Sequence, residues 1–189
     1  MSSQVQLCNL ALSRLGANTI TSLTDGTTEA KLCNTFFDDL VEEVIAEGSW
    51  PSTIRRTSLA ATTTTPSFDF TYQYQLPVDP KALKILNINE SYPNAITYVI
   101  EGDKLLCDES SVKIRYVAKI TDTSEWDVYL KRAFVSRLSS ELAYPITGDD
   151  RKSIQEFERY RMFLSEGLAL SNQQGSKQLY VSDDLINIR

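Results

Sequence analysis

The sequence predicts an α+β fold: a four-helix antiparallel bundle with an antiparallel β-region inserted between helices 2 and 3, plus an extended C-terminal arm. Apolar residues recur at helical spacing near both ends of the chain, and alternate with polar residues in the middle. The helical periodicity stops after residue 170. We therefore divide the chain into residues 1–56 (the first two helices), 57–122 (the β-region), 123–170 (the last two helices) and 171–189 (the arm).

The first two predicted helices have clear end signals. In residues 3–15 apolar side chains recur every three or four positions, and Gly16 suits a left-handed C-terminal cap. The second helix is expected to start at Thr27 or Thr28, whose hydroxyls suit an N-cap, and to end at Gly48. Both helices therefore have one apolar face available for a core.

The second predicted helix collects acidic residues on the face opposite its apolar one. Residues 1–50 hold two basic and seven acidic side chains, a local net charge of −5 in a chain whose net charge is −6. The acidic face contains Asp38, Asp39, Glu42 and Glu43. A solvated helix face is the ordinary explanation. The alternative is a surface that faces something that must not adhere to it.

The β-region begins with a period-2 segment. In residues 68–76 five apolar or aromatic side chains alternate strictly with polar ones, and Pro77 is expected to stop the strand. In the next apolar run, residues 82–89, the alternation slips after Ile85, which predicts a bulge or a bend. Gly102 and the following aspartate predict a tight hairpin turn.

A later strand, residues 112–117, alternates apolar with basic side chains. Lys113 and Arg115 share one face, and Lys119 extends the basic stripe. Charge on an edge strand protects a sheet from edge-to-edge aggregation, so we favour an edge strand here. Phosphate binding is the alternative interpretation of the same stripe.

The two C-terminal predicted helices are both amphipathic. Ser124 with Asp127 three residues later matches a capping box, and Pro145 is expected to end that helix. The last helix is expected to pack through Ile154, Phe157, Leu164 and Leu168, with Tyr160 and Met162 as further packing residues.

The arm changes composition along its length. Residues 171–177 are polar, and the last twelve residues become apolar again. A disordered tail has no need of this composition, so we expect the segment to dock on its own subunit or on another. The expected anchors are Leu179, Tyr180, Val181, Leu185 and Ile186.

Several classes of site are disfavoured by composition. The chain has no histidine, which excludes Ser–His–Asp and Cys–His catalysis, and its three cysteines lack metal-ligand spacing. No phosphate loop or dinucleotide motif is present. A carboxylate-pair hydrolase needs no histidine, but Glu29 and Glu101 occupy ordinary positions in a first helical turn and beside a hairpin. We predict no catalytic, cofactor or metal site.

The N-terminus and overall hydropathy indicate where the protein is made. No run of 18 or more apolar residues is present, and the first residues lack the plan of a signal peptide. Scattered cysteines indicate assembly in a reducing cytoplasm.

Four segments in a specific order carry a resemblance. They are residues 9–16; residues 37–50 with Arg55 and Arg56; residues 74–79, followed by 100–103 and 112–117; and residues 127–145. In this order and spacing the chain resembles the head-to-tail adaptor proteins of tailed bacteriophages, often called tail tubular protein A.

The resemblance implies a structural virion protein, not an enzyme, in the viral tail connector. Such adaptors form a ring, commonly of twelve subunits, that docks on the portal protein, extends the DNA channel and receives the tail nozzle. Passing double-stranded DNA is not bound specifically, and no cofactor or membrane is involved. The role implied is in virion assembly and DNA ejection, after assembly in the host cytoplasm.

Two sets of residues gain expected roles from this resemblance. The apolar arm is expected to bind the portal, and Asp38, Asp39, Glu42 and Glu43 are expected to line the channel, where like charge keeps DNA from adhering. Two alternatives remain: a tail-associated peptidoglycan hydrolase, and another connector ring such as a head-closure or tail-completion protein.

Overall fold

The computed structural model describes residues 3–89 and 96–173, with side chains up to residue 169. The elements in chain order are α1 (Gln4–Leu15), α2 (Thr28–Glu47), a 3-10 turn (Pro51–Thr53), β1 (Ile54–Leu59), β2 (Tyr72–Gln75), β3 (Ala82–Ile88), β4 (Tyr98–Glu101), β5 (Lys104–Cys107), β6 (Val112–Ala118), α3 (Val128–Thr147) and α4 (Asp150–Gln173).

The predicted fold class is wrong, because the four helices do not form a four-helix bundle. The strands separate α2 from α3 along the chain and form two three-stranded antiparallel sheets. The broadest helix–helix contacts are α1–α3, α2–α3 and α3–α4, so the other three helices all pack on α3. Helical periodicity predicted that each helix has an apolar face, but it does not specify which helix that face meets.

The ends of α3 differ from the prediction. Asp127, not Ser124, is the N-cap: its side chain accepts a hydrogen bond from the backbone N–H of Leu130. The backbone N–H of Ser124 instead donates to Asp122 Oδ1 at 2.8 Å, which forms a turn before the helix. Pro145 lies inside the last turns, and the helix ends at Gly148, whose φ of 67° provides the left-handed cap.

The β-region forms two sheets, which we call sheet A (β1-β6-β3) and sheet B (β2-β5-β4). The predicted bulge in β3 is confirmed by a shift of register between Ile85 and Asn87, and the predicted hairpin by the β4–β5 pair around Gly102, with φ of 61°. The long strand predicted at residues 68–76 is reduced to β2. Asp69 has a positive φ and Phe68 is 77% exposed, because the chain bends before Tyr72.

One buried indole joins the end of α2 to α4. Trp50 is 1% exposed, and its Nε1–H donates to the carbonyl of Val44 at 2.8 Å. A Cβ atom built on Gly48 or Gly167 would lie 2.2–2.3 Å from this ring. The close approach therefore requires glycine at both positions and fixes how α4 lies against α2.

The face through which α4 packs differs from the predicted one. Ile154, Phe157 and Met162 are 61%, 42% and 50% exposed, whereas Glu156 and Tyr160 are buried. The packing roles of Tyr160 and of Leu164, which is half-buried against the core, are confirmed. The difference arises because Glu156 is paired: it accepts from Arg14 on α1 at 3.2 Å and from Arg159 at 2.5 Å. An acidic side chain therefore takes a position that hydrophobicity alone would not assign to the core.

Candidate functional surfaces

The acidic face of α2 is partly neutralised within the subunit. Glu42 accepts hydrogen bonds from the Nζ atoms of Lys81 at 2.6 Å and Lys119 at 2.9 Å, and these lysines lower the pKa of its carboxyl group. Glu43 pairs with Arg137 at 2.8 Å. Two of the four acidic residues expected to line a channel therefore already have cationic partners.

The other two acidic residues of this face differ, because the structure describes no cationic partner for them. Asp38 and Asp39 are exposed and form no ion pair with any residue that the structure describes. The net negative charge of the face is therefore concentrated one turn before Glu42. That this face lines a channel stays a prediction, as does the role of the apolar arm, whose anchors Leu179, Tyr180, Val181, Leu185 and Ile186 lie outside the described residues.

The basic stripe predicted on an edge strand lies instead at the centre of sheet A. The edge assignment is wrong because β1 pairs with one side of β6 and β3 pairs with the other. Across the first pairing Arg115 is directly opposite Arg56. Across the second, Lys84 is opposite Val117, two residues beyond Arg115 and therefore on the same face.

We call this surface the basic face and define it by Arg56, Lys84, Lys113 and Arg115. The three strands of sheet A contain five basic residues and no acidic residue. The fifth, Arg55, points to the opposite face and pairs with Glu125 at 2.9 Å. Within the part of the chain that the structure describes, none of the four residues of the basic face forms an ion pair.

An open concavity of about 640 Å³ lies on the basic face. Its rim is fixed by Asn89, which adopts a φ of 49°. The Asn89 side chain accepts from the backbone N–H of Lys113 at 2.7 Å and donates to the carbonyl of Ser111 at 3.2 Å. The polar lining comprises Arg56, Thr57, Ser58, Asn89, Ser111, Lys113 and Arg115.

The outer strand of sheet B is apolar, in contrast to the basic face of sheet A. Tyr98, Val99 and Ile100 in β4 are 37%, 41% and 44% exposed, and we call this strand the apolar edge. Tyr98 and Ile100 are opposite Cys107 and Leu105, which are both fully buried. The hydrophobic core therefore covers this face of sheet B at β5 but does not reach β4, whose side chains stay exposed.

The other edge of sheet B is partly covered by the chain itself. Ala61 forms an antiparallel bridge with Tyr74, and the N–H of Thr62 donates to the carbonyl of Gln73 at 2.8 Å. The two edges of the same sheet are thus unequal, and β4 is the more exposed one.

The two carboxylates considered for hydrolysis lie on different elements. Glu29 is half-buried in the first turn of α2, and Glu101 is exposed at the end of β4. In the described ranges, no group of three or more cysteine or acidic side chains is arranged to hold a metal ion. Over the same ranges, no helix has both the length and the apolar composition to cross a membrane.

Comparison with known proteins gave no match, either to a protein-family model or to a curated protein.

Proposed function

We propose that this protein is a structural virion protein, a subunit of a ring-forming head-to-tail adaptor that docks on the portal, extends the DNA channel and provides the attachment site for the tail nozzle. The order and spacing of the four sequence segments support this proposal. The proposed location is the connector of the virion tail, and the proposed function requires no chemical step.

The observation that best supports this proposal is the apolar edge of sheet B. A strand with Tyr98, Val99 and Ile100 exposed is a hazard for an isolated subunit, because exposed edge strands pair with other chains. In a ring, each subunit is flanked by two copies, so the edge would be covered on assembly. We propose that β4 contacts the neighbouring copy.

The apolar arm and the acidic face complete the proposal. We propose that the arm anchors the ring on the portal and that Asp38 and Asp39 contribute negative charge to the channel, where repulsion of phosphate prevents adhesion. The lysine-paired Glu42 and arginine-paired Glu43 would contribute less to this field than Asp38 and Asp39, which form no ion pair with any described residue.

The direct test is electron microscopy of the purified full-length protein mixed with rings of the portal protein from the same phage. We expect an additional ring of density at one end of the portal. Deletion of residues 176–189 is expected to leave the helix content unchanged and abolish the added ring. Portal rings that acquire no density from the full-length protein would contradict the proposed function.

A further inference from the structure

We propose that the basic face of sheet A binds the phosphate backbone of double-stranded DNA without reading its sequence. The proposal goes beyond the adaptor function and does not depend on it, because the surface is complete in one subunit. It is defined by Arg56, Lys84, Lys113 and Arg115, which form no ion pair with any residue that the structure describes, and by the concavity that all of them except Lys84 line.

Two arginines of the basic face repel each other across adjacent strands. Arg56 and Arg115 are directly opposite each other on adjacent strands. Like charges in this position destabilise a sheet, and no acidic residue occurs in any of its three strands to offset them. An anionic ligand that lies between the two guanidinium groups would remove this repulsion.

The edge-protection interpretation does not account for the charge. Charged residues protect a sheet when they lie on an exposed edge, but Lys113 and Arg115 lie on the central strand, whose backbone groups are paired on both sides. The charge therefore lies in the middle of the sheet, beside the open concavity, where a ligand can approach it.

The composition of the face favours nucleic acid over a protein partner. Protein interfaces are built around apolar or aromatic anchors, whereas DNA-binding surfaces are polar and strongly positive. Around the concavity the exposed side chains of the face are Arg56, Ser58, Lys113 and, on β3, Asn87, with Arg115 half-buried between them. None of these residues is an apolar anchor.

The same composition favours a duplex over a single strand. Binding of single strands relies on aromatic rings that stack on bases, and this face has none among its exposed residues. The cations extend from Lys113 to the position of Lys84, opposite Val117. Four residues of an extended strand span about 13 Å, which equals the rise of about four base pairs along the axis of a duplex.

The net charge of −6 limits the affinity but does not prevent contact. Repulsion between exposed charges is screened beyond about 10 Å at 0.1 M salt, whereas the basic face would act at contact distance. We therefore expect weak, salt-dependent binding with no sequence preference. With four phosphate contacts the slope of log K against log salt is about −3.6, or a loss of roughly 100-fold between 50 and 200 mM.

The test is fluorescence anisotropy of a labelled 20-base-pair duplex titrated with the purified full-length protein at several salt concentrations. The variant Arg56→Gln/Arg115→Gln is expected to bind at least tenfold more weakly at 50 mM salt, with the slope reduced to about −1.8. The matched control is Lys31→Gln/Arg151→Gln, which removes two exposed cations from α2 and α4 with the same change in net charge. The control is expected to bind like the wild type.

Three results would overturn the proposal. One is the absence of salt-dependent binding by the wild type. The second is equal weakening by the control variant, which would assign binding to net charge alone. The third is equal competition by poly-glutamate at matched charge concentration, which would assign the face to an acidic protein surface. Circular dichroism of both variants separates loss of binding from loss of fold.

Discussion

The two sheets of this protein expose different kinds of side chain: sheet A exposes cations, and sheet B exposes apolar residues. Among the residues that the structure describes, sheet A has cations without an ion pair on its central strand and leaves none of its large apolar side chains exposed, whereas sheet B buries Leu105, Leu106 and Cys107 on its central strand and leaves Tyr98, Val99 and Ile100 exposed on an outer strand. A positively charged sheet face suits a polyanion, and an apolar strand edge suits another protein chain. We therefore propose different partners for the two surfaces and expect that each surface can be disrupted without the other.

The largest expected effect is the loss of assembly when charge is placed on the apolar edge. Val99→Lys/Ile100→Lys adds two charges where a neighbouring copy is expected to bury apolar side chains, and anchors at such positions contribute about 2 kcal/mol each. We expect at least a 100-fold weaker incorporation into portal-bound rings, measured by sedimentation. The matched control is Leu10→Lys/Ile154→Lys, which adds the same two charges at side chains that are 51% and 61% exposed on α1 and α4, and it is expected to assemble normally.

The two assays, assembly on portal rings and binding of duplex DNA, should also separate the two surfaces when the basic face is changed instead. Arg56→Gln/Arg115→Gln is expected to assemble on portal rings like the wild type, because the proposed subunit contact lies on the other sheet. Similarly, the lysine variant of the apolar edge is expected to retain its affinity for duplex DNA. A variant that loses both assembly on portal rings and DNA binding would show that the two activities depend on one surface.

A smaller effect concerns the stability of the isolated subunit. Replacing Arg56 with threonine removes the like-charge pair with Arg115 and introduces a residue with high strand propensity. We expect the free energy of unfolding to rise by about 0.2–1 kcal/mol, measured by urea denaturation. A decrease would show that the arginines stabilise the sheet, and the argument that their charge serves a ligand would lose its main support.

The smallest expected effect concerns the lysines that do have a partner. Lys81 and Lys119 lower the pKa of Glu42, so the ionised carboxylate stabilises the fold above the ordinary glutamate pKa. This contribution is lost as the pH falls through the lowered pKa of the folded state. Glu42→Gln is therefore expected to lower the melting temperature slightly at pH 7, since exposed ion pairs contribute up to ~1 kcal/mol, and the difference should disappear as the pH falls through the lowered pKa of Glu42. A pH-independent difference would exclude the ion pairs as its cause.

Local features of the fold were predictable from the sequence. The first helix was predicted at residues 3–15 and is observed at Gln4–Leu15, and the cap at Gly16 has the expected positive φ. The start of α2 at Thr28, the bulge in β3 and the hairpin at Gly102 are also confirmed. Each of these features depends on residues within a few positions of one another, so the sequence contains the whole signal.

Features that depend on distant contacts were not predictable in this way. The central position of β6 requires pairing of Val117 with Ile54, 63 residues earlier in the chain. The buried face of α4 depends on Arg14, which pairs with Glu156 from another helix. The neutralisation of Glu42 likewise depends on two lysines that lie 39 and 77 residues away. No period or cap signal encodes such pairs.

The most direct test of the central claim is hydrogen exchange measured by mass spectrometry on the free subunit and on the portal-bound ring. If the apolar edge is the contact between copies, the backbone amides of residues 98–101 will exchange more slowly in the ring, while those of the central strand β6 at residues 113–115 will not change. Unchanged exchange at residues 98–101 in a ring that has formed would contradict the account and assign the subunit contact to another surface.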